Sequence, residues 1–272
     1  MRALYLDLDG TLLGKGASLL HDGEGAVSLL AVRAMEACLR AGVEVVLMSG
    51  RRRAQVMEDA RLLGQRSYIY EAGAALVLDG EEQWLTGDVV PDERGTIFEQ
   101  IALTGAPDLL LERYTGYLEH HDPWHLHRDV SHLFRGVIDA FEADALLAEH
   151  GHGALRLVDN GVIAARRRTL RADLPPLRAY HLVPKGASKA AAVALHLRAR
   201  GLSAQDAIAV GDSREDLGVA PMVGTFWLVA NAIERDPSIA DAVGVLPNVR
   251  MAEAGYGAGV YEAVVTTLAQ RD

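Results

Sequence analysis

Short apolar runs alternate with helical segments closed by glycine near both ends of this 272-residue chain, and that alternation leaves few folds open. ALYL (3–6), VEVVLM (43–48) and SYIY (67–70) are continuous apolar runs of strand length. Between them, residues 24–41 carry a helical apolar face that stops at Gly42, and RRAQVMEDARLLG is a second helical pattern closed by Gly64. The C-terminal third repeats the theme, with SKAAAVALHLRARG a helix, DAIAVG and TFWLVA strands, and GVYEAVVTTLAQ a final helix. Strands that are apolar throughout are buried on both faces, which calls for helices on both sides of a parallel sheet. The expected class is therefore α/β, a doubly wound parallel sheet. From about Asp79 to about Val183 the alternation fades, and LVDNGVIAA and RAYHLV read as strands of an antiparallel sheet, with DNG (159–161) as a hairpin turn. We read residues 1–78 and 184–272 as one discontinuous domain and 79–183 as a second domain inserted into it.

The balance of residues narrows function. Half the chain is hydrophobic, enough for a sizeable core, and the net charge is −10. An acidic chain of this kind lacks the basic stripe of a nucleic-acid binder, although a local basic pocket for a small anion remains compatible with it. No apolar run reaches bilayer-spanning length and no signal-peptide pattern opens the chain, so the expected location is cytoplasmic, with no membrane partner. The single cysteine, Cys38, falls on the helical face of Val27, Leu30, Ala31 and Ala34 and reads as a core thiol. The oligomeric state is not encoded in any of these features.

The polar residues that close the strands carry the chemistry. DLDGT puts Asp7 and Asp9 after the first strand, followed by Gly10 and Thr11. Two carboxylates this close repel each other unless a cation or proton relieves them. VVLMSGR puts Ser49 and Gly50 after the second strand, AIAVGDSRED puts Asp212 and Asp216 after a later one, and KGASK puts Lys185 and Lys189 at a helix start between them. In an open α/β sheet such strand ends converge on one crevice. Carboxylates, a hydroxyl and an amine gathered there suit phosphoryl transfer through an aspartyl intermediate.

DLDGT, MSG, the lysine of KGASK and GDSRED, in that order, resemble the four motifs of the haloacid dehalogenase superfamily. The insert resembles the large α/β cap of its Cof-type and sugar-phosphatase branch, and EAGAAL (71–76) and VANAIERDPSIADAV (229–243) fit the same branch. The resemblance implies a Rossmann-like core with an inserted α+β cap. It implies a magnesium-dependent phosphatase that hydrolyses a small phosphorylated metabolite, such as a sugar phosphate or a phosphoglycolate- or phosphoglycerate-type ester. Asp7 is then the nucleophile and Asp9 the acid and subsequent base. Asp7, Asp9 (through its carbonyl), Asp212 and Asp216 are the magnesium set, Asp216 acting nearby or holding Lys189. Gly10, Thr11, Ser49, Gly50 and Lys189 bind the phosphoryl group alongside Asp7. The branch usually has asparagine where this chain has Glu215, which either joins the metal shell or points to solvent. Two other readings are a phosphomutase of the same superfamily and a phosphoacceptor or metal-binding module without turnover. The latter would not need Asp9 or the insert.

The insert is less legible. HHDPWHLHRDVSH gathers His120, His121, His125, His127 and His132 around Trp124, without a recognised zinc spacing. It reads as a cap loop with some substrate contacts or simply as a polar surface loop, with a structural zinc site as the alternative. Arg166, Arg167, Arg168 and Arg171 read as a solvated strand edge, with the alternative that one of them grips a second anionic group; Arg113 and Tyr114 are similar candidates.

Overall fold

The computed structural model describes residues 1–270. Eight strands form the large sheet: β1 (Ala3–Asp7), β2 (Glu44–Met48), β3 (Tyr68–Tyr70), β4 (Ala75–Leu78), β5 (Glu81–Trp84), β10 (Ala207–Gly211), β11 (Thr225–Leu228) and β12 (Val249–Met251). Their order is β12-β11-β10-β1-β2-β3-β4-β5. All neighbours from β12 to β3 are parallel, and β4 and β5 add an antiparallel hairpin at one edge. From β1 the chain winds outward to β2 and β3 on one side and later to β10, β11 and β12 on the other. The crevice therefore opens at the carboxyl ends of β1, β2 and β10.

Residue alternation explains why both faces are covered. Leu4, Leu6, Val45, Leu47, Ile208 and Val210 point to one side. There they meet α1 (Leu30–Arg40), α2 (Arg53–Leu62) and α10 (Tyr256–Ala269). Ala3, Tyr5, Val46, Met48, Ala207 and Ala209 point to the other. That side is covered by α6 (Lys189–Arg200), α7 (Arg214–Leu217), α8 (Asn231–Arg235) and α9 (Ile239–Val243). A strand packed on both faces has no position for a polar residue until it ends, which is why the polar residues gather at the ends.

Two expected features take other forms here. The helix expected over 24–41 begins only at Leu30. Upstream, the Asp22 carboxylate accepts backbone N–H bonds from Glu24, Gly25 and Ala26, a local turn that competes with helix. Val27 is accordingly exposed, while Cys38 is fully buried beside Ala31 and Ala34, its thiol pushed up to about 12 by burial. Asp159–Gly161 is no hairpin turn. It lies inside β8 (Leu155–Val162), where the register to the neighbouring strand shifts and Asp159 pairs with Arg178 at 2.6 Å.

The cap is a four-stranded antiparallel sheet, β6 (Leu118–His120), β7 (His132–Gly136), β9 (Arg178–Pro184) and β8, in the order β6-β7-β9-β8. One face packs on α3 (Ile97–Leu103), α4 (Ala106–Arg113) and α5 (Ala140–Glu149) through Ile101, Leu110, Phe134, Leu147, Tyr180 and Leu182. The other face, with Leu133, Ala179 and His181, turns toward the crevice. The β4–β5 hairpin carries the large sheet on to Trp84, past the division expected after residue 78. We propose that the insert begins after that hairpin.

A buried carboxylate fastens the cap to the sheet. Glu71 follows β3 and is fully buried. Its oxygens accept from the backbone N–H groups of Asp129, Val130 and Ser131 and from Ser131 Oγ, and Arg128 Nε lies 3.5 Å away. Glu71 and Ala72 hold left-handed conformations, φ 47° and 56°, that cost about 1–3 kcal/mol each and persist only where the surroundings dictate them. Four hydrogen bonds to one carboxylate dictate this one. Removing the carboxylate leaves Arg128 buried without its counter-ion. Glu71→Ala should therefore destabilise the protein by about 3–5 kcal/mol in urea unfolding. A loss below about 1 kcal/mol would mean the fastening is not energetically significant.

Candidate active site

The crevice between the sheet and the cap is a cleft of about 700 Å³. Asp7 ends β1 at its floor and is 6% exposed. The loop after it turns through Gly10, whose φ of +92° suits glycine, and a Cβ there would lie 2.2 Å from both Arg235 Nη1 and Asp212 Oδ2. Ser49 and Gly50 follow β2, and Asp212 follows β10. Ser213 caps α7 with its hydroxyl and forms a reciprocal capping box with Asp216, which fixes Asp216 behind Asp212.

Lys189, the first residue of α6, is buried at the centre of this group. Its Nζ lies 2.9 Å from Asp7 Oδ1, 2.6 Å from Asp216 Oδ1 and 3.0 Å from Glu215 Oε2. The Glu215 contact is an ion pair whose angle does not make a hydrogen bond, so that oxygen is otherwise unpartnered. Burial opposes the charge on Lys189, yet Asp216, Asp7 and Glu215 together hold its pKa well above the ordinary lysine value. Glu215 therefore neither points to solvent nor sits among the clustered aspartates. Its side chain is 8% exposed and pairs with the lysine.

Carboxylate oxygens of Asp7, Asp212 and Asp216 lie within 4.8 Å of one another. Burial, then the Asp216 charge, raises the Asp7 pKa well above the usual range. Burial raises Asp212 to about 7 against the pull of Arg235, whose Nη1 is 2.5 Å from its Oδ2. Fully ionised, the four carboxylates (Asp7, Asp212, Glu215, Asp216) face two cations, Lys189 and Arg235, and leave two negative charges for a metal to neutralise. An all-oxygen donor set with that surplus fits a hard divalent cation such as magnesium. Asp216 has both oxygens occupied, one by Lys189 and the other by Ser213 and the backbone of 212 and 213. That arrangement favours its role as the holder of Lys189.

Not every expected residue faces the cleft in the expected way. Thr11 is fully buried, and its hydroxyl reaches Asp212 Oδ1 at 3.4 Å rather than the cleft. The Asp9 side chain is turned outward into a two-pronged pair with Arg51, at 2.7 and 2.6 Å, and Arg51 also holds Asp59. Ser49 Oγ accepts from the Arg51 backbone N–H at 3.2 Å. Lys185 is exposed. The cap arginines lie on the loop after β8, not on a strand edge. Arg167 binds the carbonyls of Ala172 and Leu174, Arg168 pairs with Asp122, and Arg171 pairs with Asp173. Of the histidines, His132 stacks on Phe98, and His120 stacks on His125 and Phe134. Sequence reasoning missed Arg51, Asn231, Arg235 and Arg128. Asn231 donates to the Gly10 carbonyl, and Arg128 donates to the Gly50 carbonyl at 2.6 Å. Asn231 and Arg235 lay within a stretch singled out for its resemblance, and Arg51 directly follows Ser49–Gly50. Arg128 lay within the quoted histidine-rich stretch 120–132, where nothing local marked it out from its neighbours.

No family model matches the chain. It is 28% identical over 273 residues to a phosphoglycolate phosphatase of Methanoculleus marisnigri, covering 97% of this chain and 95% of the relative. It is 24% identical over 264 residues to a phosphoglycolate phosphatase of Methanothermobacter thermautotrophicus, covering 97% of each. Among solved structures, it superimposes on Thermoplasma acidophilum 0175 with a TM-score of 0.63 at 18% identity, covering 98% of this chain and 97% of the other. A haloacid dehalogenase-like hydrolase of B. subtilis gives a TM-score of 0.60 at 19% identity, with 97% and 99% covered. The sucrose-phosphatase of Synechocystis gives 0.62 at 14%, with 98% of each covered.

The raised Asp212 pKa has a testable sign. Between about pH 4 and about pH 7 the metal-free folded protein keeps a proton on Asp212 that the unfolded chain releases. The folded state binds more protons, so this residue's contribution to stability falls as pH rises through that window. Half-buried His121 and buried His132 and His181, with lowered pKa values, act in the opposite sense below about pH 6.5. The comparison is therefore with Asp212→Asn. In EDTA, the variant's stability relative to wild type should increase from about pH 5 to about pH 8 in urea unfolding. A constant difference would contradict the raised pKa. The chain thus has the fold of haloacid dehalogenase-like hydrolases and is similar over its full length to two phosphoglycolate phosphatases.

Proposed function

We propose that the chain is a magnesium-dependent phosphatase of a small phosphorylated metabolite, working through an aspartyl-phosphate on Asp7. The observation that carries this reading is the position of Asp7, buried under a cap between one lysine and a carboxylate cluster with surplus negative charge. The Asp7 and Asp212 carboxylates and the Asp9 carbonyl would hold the metal, which when bound supplies the charge that lets a phosphate dianion approach carboxylates. The remaining work falls to the chain itself. Lys189, the Ser49 hydroxyl and the backbone N–H groups around Gly10 and Gly50 donate to the phosphoryl oxygens. An Asp7 oxygen forms a bond to phosphorus as the ester P–O bond breaks, and the leaving oxygen takes a proton from Asp9. Asp9 then takes a proton from the water that attacks phosphorus, and the Asp7–phosphorus bond breaks to release phosphate. For both steps Asp9 must rotate from Arg51 toward the cleft, a motion of one side chain on a loop.

The cleft volume and the roofing cap support a small substrate, sugar phosphate or phosphoglycolate- or phosphoglycerate-type. Among the described residues no helix is long and apolar enough to cross a membrane, and the reading carries a cytoplasmic location with it. A phosphate-release screen over phosphorylated sugars and acids, with and without magnesium, tests the proposal. Phosphate should appear without an isomeric monophosphate, which separates hydrolysis from mutase chemistry.

Two variants of that assay follow. Asp7→Asn, nearly isosteric, should remove turnover and leave the fold intact, with melting temperature unchanged or raised because a repulsive cluster is relieved. Residual activity above about a tenth of wild type would exclude Asp7 as nucleophile; on a barrier this high a lost nucleophile costs far more. EDTA should stop catalysis, magnesium should restore it and calcium should not, because calcium takes more ligands at longer distances. Full activity in EDTA would mean that the carboxylate cluster is not a metal site.

A further inference from the structure

His181 is built into the roof of the cleft and has no part in the chemistry above. It lies in the middle of β9, opposite Leu133 of β7 and Val158 of β8, and is 1% exposed. Its Nδ1 is 3.1 Å from Ser131 Oγ. Among the described residues its Nε2 has no hydrogen-bond partner, and the residue lines the cleft. A Cβ built on Gly50 would sit 2.8 Å from that Nε2 and 2.9 Å from Asn160 Nδ2, so the two side chains converge above the phosphate-binding turn.

The surrounding hydrogen bonds fix which imidazole nitrogen carries the proton. Ser131 has one hydroxyl hydrogen and two lone pairs. Its Oγ is 2.9 Å from Glu71 Oε2, a buried carboxylate that only accepts, and 2.9 Å from Arg128 Nε, which only donates. The hydroxyl hydrogen therefore goes to Glu71, because the alternative sets two oxygen lone pairs against each other in a dry site. Arg128 fills one serine lone pair, and Nδ1–H of His181 fills the other. Burial, together with Arg128 and Lys189, holds the His181 pKa well below the usual value, so the ring is neutral. A neutral ring protonated at Nδ1 presents a bare lone pair at Nε2.

That lone pair is out of keeping with its surroundings, since Lys189, Ser49, Arg51 and Arg235 are all donors suited to anions. A carboxylate placed under Nε2 meets a lone pair. A hydroxyl donates to Nε2 while accepting from Asn160 Nδ2, and so satisfies both. We propose that His181, with Asn160, is a specificity-determining residue that takes the hydrogen of a substrate hydroxyl near the phosphate. The favoured substrates are then phosphate esters of polyols, sugars or hydroxy acids, ahead of esters with only a carboxylate at that point. The proposal rests on the phosphatase reading of the cleft.

Paired substrates test it. Glycerol 3-phosphate and propyl phosphate differ at the hydroxyls, and wild type should favour the former in kcat/KM. His181→Phe keeps ring size and removes the acceptor. It should lower kcat/KM for glycerol 3-phosphate roughly ten- to a hundredfold, mainly through KM, and leave propyl phosphate within about twofold. His181→Asn, which keeps an acceptor, should restore part of the preference. Equal losses on both esters, or no loss on either, would overturn the proposal. Nitrogen NMR of the imidazole in the free wild-type protein reads the tautomer without any turnover. Protonation at Nδ1 supports the proposal, and protonation at Nε2 overturns it whether or not the variants fold. If no phosphate ester is hydrolysed at all, the phosphatase reading fails, while the tautomer still reports on this site.

Discussion

A single buried ammonium holds the active-site architecture together. Lys189 lies among Asp7, Glu215 and Asp216, which come from the first strand and from a helix more than two hundred residues further along the chain. Without that cation, four carboxylates would crowd the ends of β1 and β10 with only Arg235 to oppose them. Buried charges deprived of their partner cost several kcal/mol, so the carboxylates depend on the lysine. The same set leaves two negative charges over, which makes it receptive to a divalent cation and then to a phosphate dianion. Glu215, where the branch that the motifs resemble usually has asparagine, belongs to the same balance. It gives Lys189 a third carboxylate and leaves the clustered aspartates unchanged.

The cap is tied to this centre by polar links across a shared boundary. Glu71 gathers three backbone N–H groups and a serine hydroxyl from the cap, and Arg128 of the same segment binds the Gly50 carbonyl in the turn after β2. On the far side, Arg178 bridges Asp159 of the cap and Asp236 of the core, while Arg235 joins Asp212 to the carbonyl of Val162. Two of these links end on the crevice itself, Arg128 at Gly50 and Arg235 at Asp212. The cap and the floor of the crevice are therefore joined by several polar links.

The parts of this molecule that were legible in its sequence are those governed by local rules. Parallel strands buried on both faces are continuous apolar runs, and helices closed by Gly42, Gly64 and Gly201 declare their ends, so the sheet domain could be read directly. Asp7, Ser49, Lys189 and Asp212 stood out because a charge or hydroxyl at the end of such a strand, or at the helix start beside it, has no packing reason to be there. Local rules failed where a side chain outbid the backbone: Asp22 delays α1, and Asp159, held by Arg178, turns an expected hairpin into an irregular strand. They failed also where partners are remote. Glu71 and Arg128 are 57 residues apart in sequence, and although each lay in a quoted stretch, nothing local pairs them. The arginines of 166–171 looked like a solvated strand edge, yet they lie on a loop, where Arg167, Arg168 and Arg171 pair with carbonyls and carboxylates.

The central claim is that Asp7 becomes covalently phosphorylated during turnover, and trapping that species tests it most directly. Enzyme quenched in acid during steady-state hydrolysis and then reduced with borohydride converts an aspartyl-phosphate to homoserine, which peptide mass spectrometry locates. The account predicts homoserine at position 7, dependent on both substrate and magnesium. Modification at Asp9 or Asp212 in its place, or phosphate release under the same conditions with position 7 unmodified, would contradict it.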